Sequence, residues 1–137
     1  MKNNVLQIDN AKLEDIPRLV GFVTGWMEQQ GLNRYIFAVE TAVDEACTNV
    51  IKHGYLNKGG YIEISCDLHK DELVITVRDR GQKFDPSRVP APDIDTDLEE
   101  RKIGGLGIYM MRKMMDEVQY TFHAATGNTL TMSKKIL

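Results

Sequence analysis

The chain is short of several things, and each shortage removes a class of function. None of its 137 residues belongs to a long apolar run, and about 20 apolar residues are needed to span a bilayer, so no membrane attachment is expected. The opening stretch "MKNNVLQIDNAKLEDI" has no apolar core, so no signal peptide is expected. There are only two cysteines, Cys47 and Cys66, without metal-ligand spacing. Each falls on an apolar position of its segment, so buried free thiols are expected rather than a disulfide, which fits a cytoplasmic protein. Charge of one sign is also lacking. The net charge of -3 and pI near 5.6 give no global field that would favour direct nucleic-acid binding. No internal repeat and no low-complexity segment is present. What remains is a length suited to one domain, residues 1–137, able to bury a real core.

Hydrophobic periodicity supplies the organisation. Residues 4–9 read as a short strand. Residues 12–30 carry Leu13, Ile16, Leu19, Val20, Val23 and Met27 at helical spacing, with Pro17 in the first turns and Gly31 as the stop. A second helix is expected over 34–53, with Val39, Ala42, Val43, Ala46, Cys47 and Val50 on its apolar face and Gly54 after it. Beyond Gly60 the period falls to two. "YIEISCDL" alternates Ile62, Ile64, Cys66 and Leu68 against Tyr61, Glu63, Ser65 and Asp67, and "LVITVRD" follows after the turn "HKDE". These make an antiparallel hairpin. Residues 82–103 have no usable period and contain Pro86, Pro90 and Pro92. A helix opening in glycines covers 105–115, and "EVQYTFHA" and "NTLTMSKKI" form a last hairpin. Helices grouped on one face of a mostly antiparallel sheet give an α+β two-layer sandwich.

Four features could carry chemistry. Glu45, Asn49 and His53 recur every fourth residue, so they form one polar ridge at the border of the second helix's apolar stripe. A solvated helix edge would explain such a ridge. So would a site, since an amide oxygen suits Mg²⁺ and a carboxylate one turn away could orient or deprotonate a hydroxyl. Asp79 ends a strand two residues before Gly81. That pattern is common in turns, but a carboxylate there could accept the exocyclic amine of adenine, with Gly81 giving close backbone approach. Gly104, Gly105 and Gly107 lead directly into a helix, whose free N–H groups make an anion site, and Arg101 and Lys102 just upstream add positive charge. A flexible linker before an ordinary helix has the same appearance. The long loop 82–103 runs between the Asp79 turn and the glycines, where a lid would lie. Thr129 in the last strand could hydrogen-bond near a base, or simply fill an edge.

Taken in order, these features resemble the Bergerat-type ATPase fold shared by gyrase, histidine kinases and MutL. Within it the chain resembles the stand-alone anti-sigma-factor serine kinases of the RsbW and SpoIIAB type. The likeness runs from residue 5 to the end. It is carried by "AVDEACTNVIKHGY" as the asparagine box, by "VRDRGQKFDP" as the first glycine box and by "GGLGIYMMRKMMDEV" as the second. The resemblance implies ATP and Mg²⁺ as cofactors. Asn49 corresponds to the metal ligand, Glu45 to the catalytic carboxylate and Asp79 with Gly81 to the adenine contact. Gly105, Leu106 and Gly107 correspond to the phosphate-binding turn, with Gly104, His53, Arg101 and Thr129 as further nucleotide contacts and 82–103 as an ATP lid. Two departures stand out. Lys83 occupies the second glycine position of the fuller Asp-x-Gly-x-Gly pattern, which favours the RsbW-like members. Lys102 stands where a further loop glycine would fall, and Gly104 is present instead.

The function implied is an ATP-dependent protein serine/threonine kinase and anti-sigma factor acting by partner switching. It would phosphorylate a STAS-domain antagonist and hold a sigma factor or other regulator, with a homodimer compatible. A nucleotide-gated binding module without phosphoryl transfer is the alternative. A histidine-kinase catalytic domain ranks lower, because no long dimerisation helix with a phospho-acceptor histidine precedes the domain in this sequence.

Overall fold

A computed structural model of the chain describes residues 4–86 and 105–136, with the side chains of 105 and 106 excepted. Five strands form one antiparallel sheet in the order β1-β2-β3-β5-β4. They are β1 (Val5–Ala11), β2 (Gly60–His69), β3 (Glu72–Asp79), β4 (Glu117–His123) and β5 (Gly127–Lys135). Three helices, α1 (Ile16–Gln29), α2 (Ile36–Asn49) and α3 (Gly105–Met114), complete the fold, and α2 packs against both others. The α+β two-layer expectation is met.

The core is where the two periods meet. Leu19, Val23 and Met27 of α1, at a spacing of four, are fully buried. Val39, Ala42, Val43, Ala46 and Cys47 do the same for α2. They face Ile62, Ile64 and Cys66 of β2, Leu73, Ile75 and Val77 of β3, and Leu130 and Met132 of β5. Those strand residues are two apart and so share one face of the sheet. Both cysteines are free and buried, and burial pushes each thiol up to about 12.

Some boundaries differ from the periodic reading. The first strand runs on to Ala11, and a 3-10 turn at Leu13–Asp15 precedes α1, so the helix begins at Ile16 rather than at 12. There the Asp15 carboxylate accepts the Lys12 backbone N–H at 2.9 Å and ends the extended segment. Leu68 is 37% exposed despite its core parity, because it lies at the hairpin end of β2. On the outer face Ser65 is buried, crowded by Thr76 opposite it on β3. The second helix stops being α-helical at Asn49 and continues as a π-helical turn, Val50–Gly54. That turn is wider than an α turn, so the four-residue ridge is broken before His53. Most of the expected lid, 87–103, lies outside the described residues.

Candidate active site

One cavity opens between the helix layer and the strands β3, β5 and β4. Its wall includes Asn49, Gly54, Asp79, Phe84, Tyr120 and Asn128. Asp79 is delivered by the last residue of β3 and is only 4% exposed. Its Oδ1 accepts the Gly81 backbone N–H at 2.9 Å and the Asn128 amide N–H at 2.9 Å. Burial still pushes the Asp79 carboxyl above its ordinary value, with those two donors pulling the other way. A carboxylate kept at a strand end at this cost is better suited to reading a ligand's N–H groups than to supporting the fold.

Asn128 was not among the residues expected from sequence. It stands directly across the ladder from Asp79, and Thr129 stands across from Arg78. Thr129 therefore projects to the outer face of the sheet, away from the cavity, because neighbouring strand residues point opposite ways. Thr129, expected near a base, is thus not on the cavity wall, and Asn128 lines it instead. A signal was present in the sequence: Asn128 has the parity of the apolar Leu130 and Met132, and Thr129 does not. Gly127 makes the placement possible. It has φ +94°, and a side chain there would collide with the backbone of Asp79 and Arg80.

A Cβ on Gly81 would sit 2.6 Å from the Gly54 carbonyl oxygen. The missing side chain thus allows the β3 exit to lie against the π-helical turn. Gln82 ties the same two segments together: its N–H donates to the Gly54 carbonyl at 2.9 Å and its side-chain amide donates to the His53 carbonyl at 2.6 Å. Tyr55 adds a second tie, its hydroxyl accepting the Arg80 N–H at 2.7 Å and donating to the Tyr61 carbonyl. The His53 ring stacks on Phe84, with centroids 4.8 Å apart, so it lies at the Phe84 wall rather than on the Glu45–Asn49 ridge.

At the other end, α2 delivers Asn49 and Glu45. Asn49 is 7% exposed and lies close enough to Glu45 for its amide to favour the Glu45 carboxylate. An amide oxygen at this place is a hard acceptor, which suits Mg²⁺. Among the described residues no three His, Cys, Asp or Glu side chains cluster as a metal cage. A Mg²⁺ that takes most of its ligands from phosphate and water needs none. Glu45 is half-buried and pushed above the usual carboxylate range, first by desolvation and next by Asp44, with the Asn49 amide opposing. It lies against Gly107 in the first turn of α3, where any Cβ would overlap its carboxyl group. Gly105 and Leu106 form the start of that helix. Arg101 and Gly104 lie outside the described residues.

The structure thus brings Asn49 and Asp79 to one cavity, with Glu45 beside Asn49 and the α3 N-terminus beside Glu45. Two solved forms of the catalytic domain of the histidine kinase ThkA, both free of nucleotide, share this fold. Their TM-scores are 0.56 and 0.52 at 12% identity, covering 98% of this chain and 96% and 97% of theirs. The architecture is therefore that of histidine-kinase catalytic domains. The family model for the histidine kinase-like ATPase domain matches residues 10–134, and the chain belongs to that family. Among curated proteins it is 36% identical over 101 residues to the serine-protein kinase RsbW of Staphylococcus aureus (strain MRSA252). The match covers 69% of this chain and 62% of that one. The corresponding RsbW of Bacillus cereus (strain AH187) is 36% identical over 102 residues, covering 72% and 62%. This chain's match therefore spans less than two thirds of these relatives. No helix among the described residues is long and apolar enough to cross a membrane.

Proposed function

We propose that this chain is an ATP-dependent protein serine/threonine kinase and anti-sigma regulator of the cytoplasm. It acts by partner switching: it phosphorylates a STAS-domain antagonist and holds a sigma factor or another regulator by direct binding. The observation that carries the reading is one cavity lined by both Asn49 and Asp79, with Glu45 one helical turn from Asn49 and against the first turn of α3. Both described bonds to Asp79 fall on Oδ1, so Oδ2 is the oxygen this reading assigns to the exocyclic amine of adenine. The oxygen of the Asn49 amide would hold Mg²⁺, which would supply charge neutralisation for the phosphates. Glu45 receives the proton of the partner's serine hydroxyl, and its raised proton affinity moves it toward the working pH of a general base. The N–H groups at the start of α3, from Gly105 through Gly107, face the transferred phosphate. Most of the rate comes from positioning and charge neutralisation. The relatives named serine-protein kinase support the assignment, and the family supports nucleotide use.

The test is to incubate the chain with labelled ATP, Mg²⁺ and each STAS-domain protein of its source. Label on one STAS serine is the expected result. Binding of ATP that alters partner affinity, with no label transferred to any of them, would leave a nucleotide-gated binding module in its place.

A further inference from the structure

The hydrogen bonds around Asp79 run in one direction. The backbone N–H of Phe84 donates to the Tyr120 hydroxyl at 3.1 Å. A backbone N–H can only donate, so the phenol must turn its own hydrogen elsewhere, and it donates to Oδ1 of Asn128. That fixes the amide. Its oxygen is turned to Tyr120 and its N–H end is turned to Asp79 Oδ1, with the carbonyls of Gly81 at 3.2 Å and Gln82 at 3.0 Å as further acceptors. Tyr120 lies two residue pairs along the β4–β5 ladder from Asn128, on the same face and within diagonal reach. An Asn amide has two ends of nearly equal size, so only its partners decide which end faces the carboxylate.

We propose that Tyr120, acting with the Gly81 and Gln82 carbonyls, is a positioning residue for base selection, holding the Asn128 amide with its donor end on Asp79 so that the cavity stays an acceptor site for a 6-amino purine. This rests on the reading of Asp79 as the base contact. With a donor on Oδ1, Asp79 is favoured as a carboxylate and offers only acceptors, which match the 6-amino group of adenine. Were the amide free to turn, its oxygen would face Asp79 and favour the protonated acid. The acid's O–H would suit a 6-oxo purine instead, and burial already inclines Asp79 that way.

The probes are Mg·ADP and Mg·IDP, whose bases differ only in the 6-amino versus 6-oxo group and the accompanying N1 proton. Both are titrated by calorimetry into the wild-type chain, Tyr120→Phe and Asn128→Asp. The wild type is expected to prefer ADP. Tyr120→Phe should shrink that preference about tenfold, chiefly through weaker ADP binding, because a buried acceptor on Asn128 loses its donor. Asn128→Asp removes the donor to Asp79 altogether and should move the ratio toward IDP. A purely structural role would lower the melting temperature and weaken both ligands equally. An unchanged ADP:IDP ratio in folded Tyr120→Phe overturns the proposal. If that variant does not fold, an unchanged ratio in Asn128→Asp overturns it. A wild type that binds neither nucleotide overturns the nucleotide reading itself, and this inference with it.

Discussion

At the strand end of the cavity, Asp79 is met by a backbone N–H and by an amide whose orientation is set by a phenol and a second backbone N–H. At the helix end, Glu45 is met by the Asn49 amide and lies against a glycine of α3. Burial raises the proton affinity of both carboxyls. They differ in what holds them. The strand end is a relay of directed hydrogen bonds anchored in the ladder between β3 and β5, so it is built for reading polarity. The helix end depends on the close approach of α2 and α3, so it is built for bringing groups together. The comparison separates the two tasks that the proposed function gives this site, recognition and transfer, and each can be broken by itself.

The largest expected effect is on transfer. Glu45→Ala should retain nucleotide binding and lose phosphoryl transfer by roughly 10²–10⁴-fold, the usual contribution of a positioned base. Single-turnover phosphorylation beside a binding titration checks this. Wild-type transfer by the variant would make Glu45 a helix-edge residue. Next is the contact itself. Gly107→Ala puts a methyl group where the Glu45 carboxyl lies and should push that flexible side chain aside, changing stability by less than about 1 kcal/mol in denaturant unfolding while lowering transfer in the single-turnover assay. Gly25→Ala is the control within a helix. Nothing lies within 4 Å of the Cβ it would gain, so the same change there should stabilise by about 0.5–1 kcal/mol. Transfer lowered by Gly107→Ala and unchanged by Gly25→Ala would tie the glycine to the placement of Glu45.

The smallest effect is on pH dependence. The folded-state proton affinity of Asp79 is raised, so its charged form costs stability above its folded pKa, and that cost is relieved as pH falls through it. Asp79→Asn keeps an oxygen for the Gly81 and Asn128 donors and carries no charge. It should therefore be slightly more stable than the wild type near neutral pH, by less than about 1 kcal/mol, with the advantage fading in acid. Unfolding curves at about pH 7.5 and pH 4 measure the difference. Greater stability of the wild type at neutral pH would contradict a desolvated Asp79.

The helix end was the more legible of the two in the sequence. Glu45 and Asn49 lie four apart on one helix, and local periodicity places them together without any knowledge of the sheet. His53 was misplaced because nothing in the local pattern marks the change from an α to a π turn at Val50. The strand end depends on pairing between segments 49 residues apart, Asp79 and Asn128. Strand parity pointed to Asn128, but the register that puts it across from Asp79 follows from which strands neighbour one another. The order β3-β5-β4 is not written in any single segment. Tyr120 was hidden for the same reason, since a half-buried tyrosine on an edge strand acquires its meaning only from the amide beside it. The contact of Gly81 with Gly54 was hidden because a glycine's missing side chain says that something comes close, and not what. The fold itself was legible, because both periods are strong and change where the elements change.

The most direct test of the division of labour is a calorimetric titration of Mg·ADP into the wild type, Asp79→Asn and Glu45→Ala side by side. The account expects tight binding by the wild type and by Glu45→Ala, with affinity reduced in Asp79→Asn by about 1–3 kcal/mol, the cost of leaving a base N–H poorly paired. Equal affinity in wild type and Asp79→Asn would contradict it, and would return Asp79 to the status of a turn residue at the end of a strand.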